Sequence, residues 1–325
     1  MMEKKNRSEY LDMVCGLCIL HIVVSHIFQA AGMTDCSVYK YFHVLFFSMS
    51  WFFFKAGMFY KKKDMFETAR SSYKRLIIPF VVFSSFGFVF FFVRKVFVLD
   101  IDVLTTLKQT VRTFLVTGAF PGNLALWFLL SLFACRMIFN YVNVKLPSYA
   151  LYLCPLICLL FSIIFHCWNI SRPWYILNIT LGLFFYSVGY LLKDKQYKGS
   201  VFIIASVMLV LIAVFKDSSV SFANNSLIYG NFYLWIVYAM CAVIFVNNLL
   251  KKCNIRFIPL IKIGQDSMTY YVLHMIVIDI ILCVDDVFKF EKTILLALLL
   301  LSNIAFLPIA NVALKHSKYK WIVGL

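Results

Sequence analysis

Charge is scarce in this 325-residue chain. Asp, Glu, Lys and Arg make up 14% of it, and only 15 of those residues are acidic against 31 basic. Apolar residues account for 62%, with 35 Phe and 18 Tyr, more than a soluble core of this length needs. Long polar stretches are missing too, which excludes a soluble domain of any size. The chain has no P-loop, no His-Glu-x-x-His and no Gly-x-Ser-x-Gly. NTPase, zinc-protease and serine-hydrolase readings are therefore without support. No internal repeat is visible, which weighs against transporters built on inverted repeats.

What is present is a series of apolar runs. A membrane span needs about 20 mostly apolar residues. Runs of that kind fall near Tyr10–Ala31, Phe42–Tyr60, Leu76–Val93, Leu124–Tyr141, Ser148–Cys167, Trp174–Leu192, Ser200–Phe215, Tyr229–Leu250, Ser267–Val287 and Thr293–Leu314. The expected fold is an all-α integral membrane protein, a bundle of about ten transmembrane helices in a single polytopic domain over residues 1–325. The first run is too long for a signal h-region and lacks a small-residue cleavage site, so it is expected to be retained. Three polar connections stand out. Lys61–Arg75 is a basic loop, Arg94–Asn123 holds a short interfacial helix around Leu104–Leu115, and Lys216–Asn225 is a polar loop.

The net charge of +16 invites a nucleic-acid partner, but its distribution argues otherwise. With the N-terminus cytoplasmic and the spans alternating, most Lys and Arg fall on the cytoplasmic side, in clusters at 4–7, 61–75, 193–198, 251–262 and 315–320. That is the positive-inside pattern. It predicts both termini in the cytoplasm, a lipid bilayer as the main partner and no nucleic acid. Most of the ten cysteines lie inside spans, where thiols are small apolar fillers rather than a disulfide framework.

Ionisable groups inside spans are costly and tend to be functional. Besides His21, the first span carries Asp12 and His26. At about 100° per residue they share a face with Cys15, yet they stand about 21 Å apart along the axis and cannot touch. Asp12 belongs near the cytoplasmic face and His26 in the outer half of the bilayer. Cys15-Gly-Leu-Cys18 followed by His21 is formally a metal or redox pattern. On a helix these side chains diverge, so they read as packing residues, with His21 hydrogen-bonded to a neighbouring helix.

Six blocks taken in order resemble a known family. They are Asp12-Met-Val-Cys15-Gly16 with His26, Trp51-Phe-Phe-Phe-Lys-Ala-Gly57-Met-Phe-Tyr, Lys74-Arg75-Leu-Ile-Ile-Pro79-Phe, Leu126-Trp127-Phe128-Leu129, Leu181-Gly-Leu-Phe-Phe-Tyr-Ser-Val-Gly189-Tyr, and Gly264-Gln-Asp-Ser267-Met-Thr-Tyr-Tyr271-Val-Leu-His274. The pattern is similar to that of the membrane-bound acyltransferase 3 family, bacterial O-acyltransferases of cell-surface sugars. Two positions depart from it. The family commonly has Arg or Lys eleven residues before the His, where this chain has Cys15, and the Ser of its Ser-Gly pair is Ala56. Lys55, next to Ala56, either snorkels to the interface or supplies the cation that Cys15 lacks.

The resemblance implies transfer of an acyl group, usually acetyl, from cytoplasmic acyl-CoA to a hydroxyl of a surface saccharide. The location it implies is the bacterial cytoplasmic (inner) membrane, and no metal is expected. The catalytic candidates are His26, Asp12 and His274. His26 would act either as general base or as an acyl-imidazole carrier. His274, near mid-membrane, would pair with a carboxylate, orient a reacting group, or simply be a satisfied core histidine. Arg75, Lys74 and Lys55 are the candidates for holding acetyl-CoA, because a guanidinium suits phosphate. Asp266 and Ser267 fit a helix N-cap, and Trp127 and Arg136 are given structural roles. Two other readings remain open. One is a transporter or flippase for a saccharide with the histidines as proton relays, and the other is a catalytically inactive family member.

Overall fold

The computed structural model describes residues 8–42, 45–170, 173–193, 205–207, 232–253 and 256–323. Among these residues there are helices and no strands. The order is α1 Glu9–Ala30, α2 Ser37–Phe42, α3 Ser48–Met58, α4 Met65–Ser72, α5 Ile78–Val93, α6 Val103–Thr117, α7 Trp127–Lys145, α8 Ala150–Cys167, α9 Trp174–Leu192, α10 Phe232–Cys253, α11 Ile258–Gln265, α12 Ser267–Phe288 and α13 Lys292–His316. Among the described residues seven stretches are long and apolar enough to cross a membrane: Glu9–Ala30, Met65–Val98, Leu124–Lys145, Ala150–Cys167, Tyr175–Leu192, Phe232–Lys251 and Lys292–His316.

The run Phe42–Tyr60 is not a full span. It forms the end of α2, a turn and the 11-residue α3, about 16 Å long at 1.5 Å per residue. Mean apolarity does not register the break, where Ser48 turns its hydroxyl onto the Leu45 carbonyl at 2.6 Å. Of the run Ser200–Phe215 only residues 205–207 are described, and the polar stretch Lys216–Asn225 lies outside the described residues.

The basic stretch Lys61–Arg75 is largely helix rather than loop. Asp64 caps α4 by accepting the Phe66 amide at 2.9 Å, an ordinary side-chain cap. The helix continues through a π-helical turn, Tyr73–Ile77, into α5. Pro79 accounts for the widened turn. Its ring would collide with the Arg75 carbonyl in a regular helix, four residues back. At the other end of α5 a second π-helical turn, Arg94–Val98, leads towards α6. There Asp102 accepts the Thr105 amide at 2.8 Å, and Gly118 ends the helix with φ 72°.

α1 is the central helix, with 78% of its apolar window buried against 22% for α13. Two crossings clamp the bundle. Gly16 of α1 meets the Leu260 carbonyl of α11, and Gly264 of α11 meets the Asp12 carbonyl of α1. Gly57 of α3 meets the Tyr186 carbonyl of α9, and Gly189 of α9 meets that of Phe54. A side chain at any of these positions would force the backbones apart. Around the second crossing lie Trp51, Phe53, Phe139, Phe185 and Tyr186, all fully buried. The side of the bundle where α1 begins is called the near face below, and the opposite side the far face. α12 also starts at the near face, beside Asp12.

Candidate active site

His26 lies towards the far end of α1 and His274 is the eighth residue of α12. The site is built where these two helices cross. His26 Nδ1 and His274 Nε2 stand 2.8 Å apart, with ring planes within 5° of parallel. His274 is fully buried. Its Nδ1 faces the carbonyls of Tyr271 at 2.7 Å and Tyr270 at 3.2 Å. A carbonyl only accepts, so Nδ1 of His274 carries a hydrogen. In the neutral pair, Nε2 of His274 is then the acceptor and Nδ1–H of His26 the donor. Nε2 of His26 is left with a lone pair.

One cavity is lined by His26, and a second adjoins it. The near-face cavity, about 240 Å³, is lined by Cys15 and Ile19 of α1, Lys55 and Ala56 of α3, Leu129 and Leu132 of α7, and Ser267 and Met268 of α12. The far-face cavity, about 70 Å³, is lined by His21, Ser25, His26, Gln29, Ser48 and Trp127, among others. Met49 and Tyr271 border both. Tyr271 is held twice: its hydroxyl donates to the Ala125 carbonyl, and its own carbonyl accepts from His274. Met49 has no such anchor, and its flexible thioether is suited to fitting around whatever passes.

Lys55 and Cys15 line one cavity. The lysine therefore stands at the chamber where its charge would compensate for the thiol, and its Nζ lies 5.1 Å from the centre of the Trp51 ring. Arg75 sits on the π-helical turn and Lys74 beside it, both exposed. Asp12 is buried in α1 but belongs to the α1–α11 crossing, where its carboxylate accepts from Gln265 at 3.3 Å. The structure thus brings His26 to His274, sets Lys55 and Cys15 in the wall of one cavity, and keeps Asp12 apart from the histidines.

Two sequence readings are revised, and a third residue is placed. His274 pairs with an imidazole and not with a carboxylate. Asp266 does not cap α12; its carboxylate instead receives Asn311 Nδ2 at 2.7 Å and Lys315 Nζ at 2.6 Å. Trp127, read as structural, lines the far-face chamber. His21 behaves as its surroundings suggest: its Nδ1 meets Ser48 Oγ of α3 at 2.9 Å and its Nε2 meets Ser25 Oγ at 3.2 Å. Tyr271 and Met49 went unassigned in the sequence. Tyr271 had a signal, three residues before His274 on one helix face, whereas Met49 had none.

These features define a multi-pass helical membrane protein with an imidazole pair, one member of which lines the far-face one of two adjoining chambers. The chain belongs to the acyltransferase 3 family: the family's sequence model, an acyltransferase domain, matches residues 8–314. It is accordingly a membrane acyltransferase. No curated protein and no solved structure matches it.

Proposed function

We propose that this protein transfers an acyl group, acetyl in the first instance, from cytoplasmic acyl-CoA to a hydroxyl of a cell-surface saccharide in the bacterial inner membrane. The observation that carries the reading is the His26–His274 pair, with His26 in the wall of the far-face cavity, which shares Met49 and Tyr271 with the near-face one. The pair leaves one imidazole nitrogen unprotonated where reactants from opposite faces would meet.

The chemistry follows from that nitrogen. A sugar hydroxyl is a poor nucleophile, and general-base removal of its proton contributes roughly 10²–10⁴-fold. His26 Nε2 takes the proton as the oxygen attacks the thioester carbonyl. The tetrahedral intermediate collapses, the C–S bond breaks, and the imidazolium returns the proton to the departing thiolate. The products are the O-acyl sugar and CoA thiol, with no net proton released. His274 holds the His26 ring by accepting from Nδ1, and Tyr270 and Tyr271 fix the tautomer of His274 through their carbonyls.

The chambers suit the two substrates. The near-face chamber is almost wholly apolar apart from Lys55, which fits a pantetheine arm bearing a thioester. The far-face chamber offers Trp127, Gln29 and two serines, an aromatic and polar mixture suited to the edge of a sugar. At about 70 Å³ it admits the reacting hydroxyl and its carbon rather than a whole ring.

The test is the O-acetyl content of purified surface polysaccharide from cells carrying wild type, His26→Ala or a deletion, with membrane levels of the two proteins matched. Acetyl lost in both altered strains is the expected result. Acetyl lost only in the deletion would move the chemistry off His26. Unchanged acetylation with altered polysaccharide amount or length would favour export instead.

A further inference from the structure

Arg136 stands in the middle of α7, within a membrane-spanning stretch. A guanidinium there is costly and normally has a partner. Among the described residues Arg136 has no carboxylate in contact and no hydrogen bond, and the same holds for Arg75. The two stand on neighbouring elements, because α7 packs against the π-helical turn that carries Arg75. A half-buried guanidinium and an exposed one, on elements that pack together and without a partner among the described residues, form an incomplete arrangement that a polyanion would complete.

Its position relates to the chamber. Leu129 and Leu132 line the near-face cavity, and Arg136 follows them at spacings of seven and four on the same face of α7. It therefore lies about one turn, or 6 Å, beyond the cavity wall towards the near face. Trp127, in the far-face chamber with His26, is nine residues from Arg136, about 14 Å along the axis. In acyl-CoA the link from diphosphate to sulfur is about twelve bonds, and at about 3.5 Å per three backbone-like bonds it reaches about 14 Å when extended.

We propose that Arg136 and Arg75 form a two-guanidinium clamp for the diphosphate of a nucleotide-bearing donor, setting how far its arm reaches towards His26. This rests on the donor side of the proposed function. Paired guanidiniums suit such a group because each presents a planar fork to phosphate oxygens. The bilayer's own phosphates are the competing source of the same chemistry, and the experiment separates them.

The experiment measures binding of CoA and of inorganic pyrophosphate to the full-length protein, both in phosphatidylcholine nanodiscs and in maltoside micelles. Wild type is compared with Arg136→Gln, Arg136→Lys and Arg75→Gln. Wild type is expected to bind both probes in both media, with affinity falling as salt rises. Arg136→Gln should lose at least tenfold for both probes, and Arg136→Lys should fall between, keeping the charge but not the fork. In wild type, pyrophosphate should also protect Arg136 from phenylglyoxal, a readout that does not depend on a variant folding. Unchanged affinity in Arg136→Gln, or no binding of either probe to wild type, would overturn the clamp. Binding in micelles that vanishes in nanodiscs would assign the arginines to lipid phosphate and overturn it as well. Pyrophosphate bound through Arg136 with no binding of CoA would uphold the anion site and remove acyl-CoA as the donor.

Discussion

His26 Nδ1 and His274 Nε2 lie 2.8 Å apart although 248 residues separate them in the chain. The hydrogen on that contact belongs to His26, because the other nitrogen of His274 is committed to backbone carbonyls. One histidine is therefore placed to react and the other to orient it, and the two should fail differently. His26→Ala should lower the turnover number by at least about 10²-fold. His274→Ala should lower it by a smaller factor, about tenfold, with little change in KM for the acyl donor. Steady-state rates of CoA release in nanodiscs check this. Equal losses from the two variants, or a loss in His274→Ala confined to KM, would contradict the division of roles.

Lys55 and Cys15 both line the near-face cavity. If the lysine supplies the charge that the family usually places at position 15, Lys55→Gln should reduce acyl transfer about tenfold. Restoring the family residue should then repair it, so Lys55→Gln with Cys15→Arg should outperform Lys55→Gln alone. Acetyl transfer by the three proteins at matched membrane levels decides the matter. A fully active Lys55→Gln would reduce the lysine to an interfacial anchor.

The crossing of α1 and α11 leaves no room for a methyl group at Gly16, where it would meet the Leu260 carbonyl. Backbone cannot yield as a side-chain tip does, so Gly16→Ala should destabilise by about 1–3 kcal/mol, the usual range for overpacking. The displacement would carry α11 away from Asp12 and so disturb the start of α12. Thermal unfolding in detergent should show a lower midpoint, and an unchanged midpoint would mean that the two helices separate freely.

Much of the site was legible in the sequence because it depends on local periodicity. The shared face of Asp12, Cys15 and His26 follows from the helical angle alone, and the place of His274 two turns into α12 follows from counting along that helix. What joins these parts was not legible. The partner of His274 comes from a helix 248 residues away, and residue type gave no preference for an imidazole over a carboxylate. The half-length α3 was hidden because mean apolarity is blind to a turn made of apolar residues. Arg136 carried a signal of its own, a cation in an apolar run, but its neighbour Arg75 becomes visible only when α7 packs on the π-helical turn. Asp266 looked like a cap because caps are read from neighbouring sequence, and its actual partners are supplied by α13, 45 and 49 residues on.

That last contact ties the far end of the chain to the site. Asp266 fills the joint between α11 and α12, and the next two residues, Ser267 and Met268, line the near-face chamber. Its carboxylate is largely buried, with 10% of the side chain exposed, whereas Lys315 is 41% exposed. Solvent screens a pair of this kind, so the ion pair alone is worth no more than about 1 kcal/mol. Asn311 adds a hydrogen bond from inside the bundle, where an unpaired amide costs more than an unpaired surface ammonium. Asp266→Ala should therefore destabilise more than Lys315→Ala, which leaves the Asn311 bond intact and the acid partly solvated. Hydrogen exchange should localise the effect, with faster exchange over residues 258–268 in Asp266→Ala and little change in Lys315→Ala. Both variants lack the ion pair, so wild type and Asn311→Ala should lose stability with added salt, whereas Lys315→Ala and Asp266→Ala should not. Equal effects of the two single variants would mean that the charge, rather than the buried amide, holds the joint.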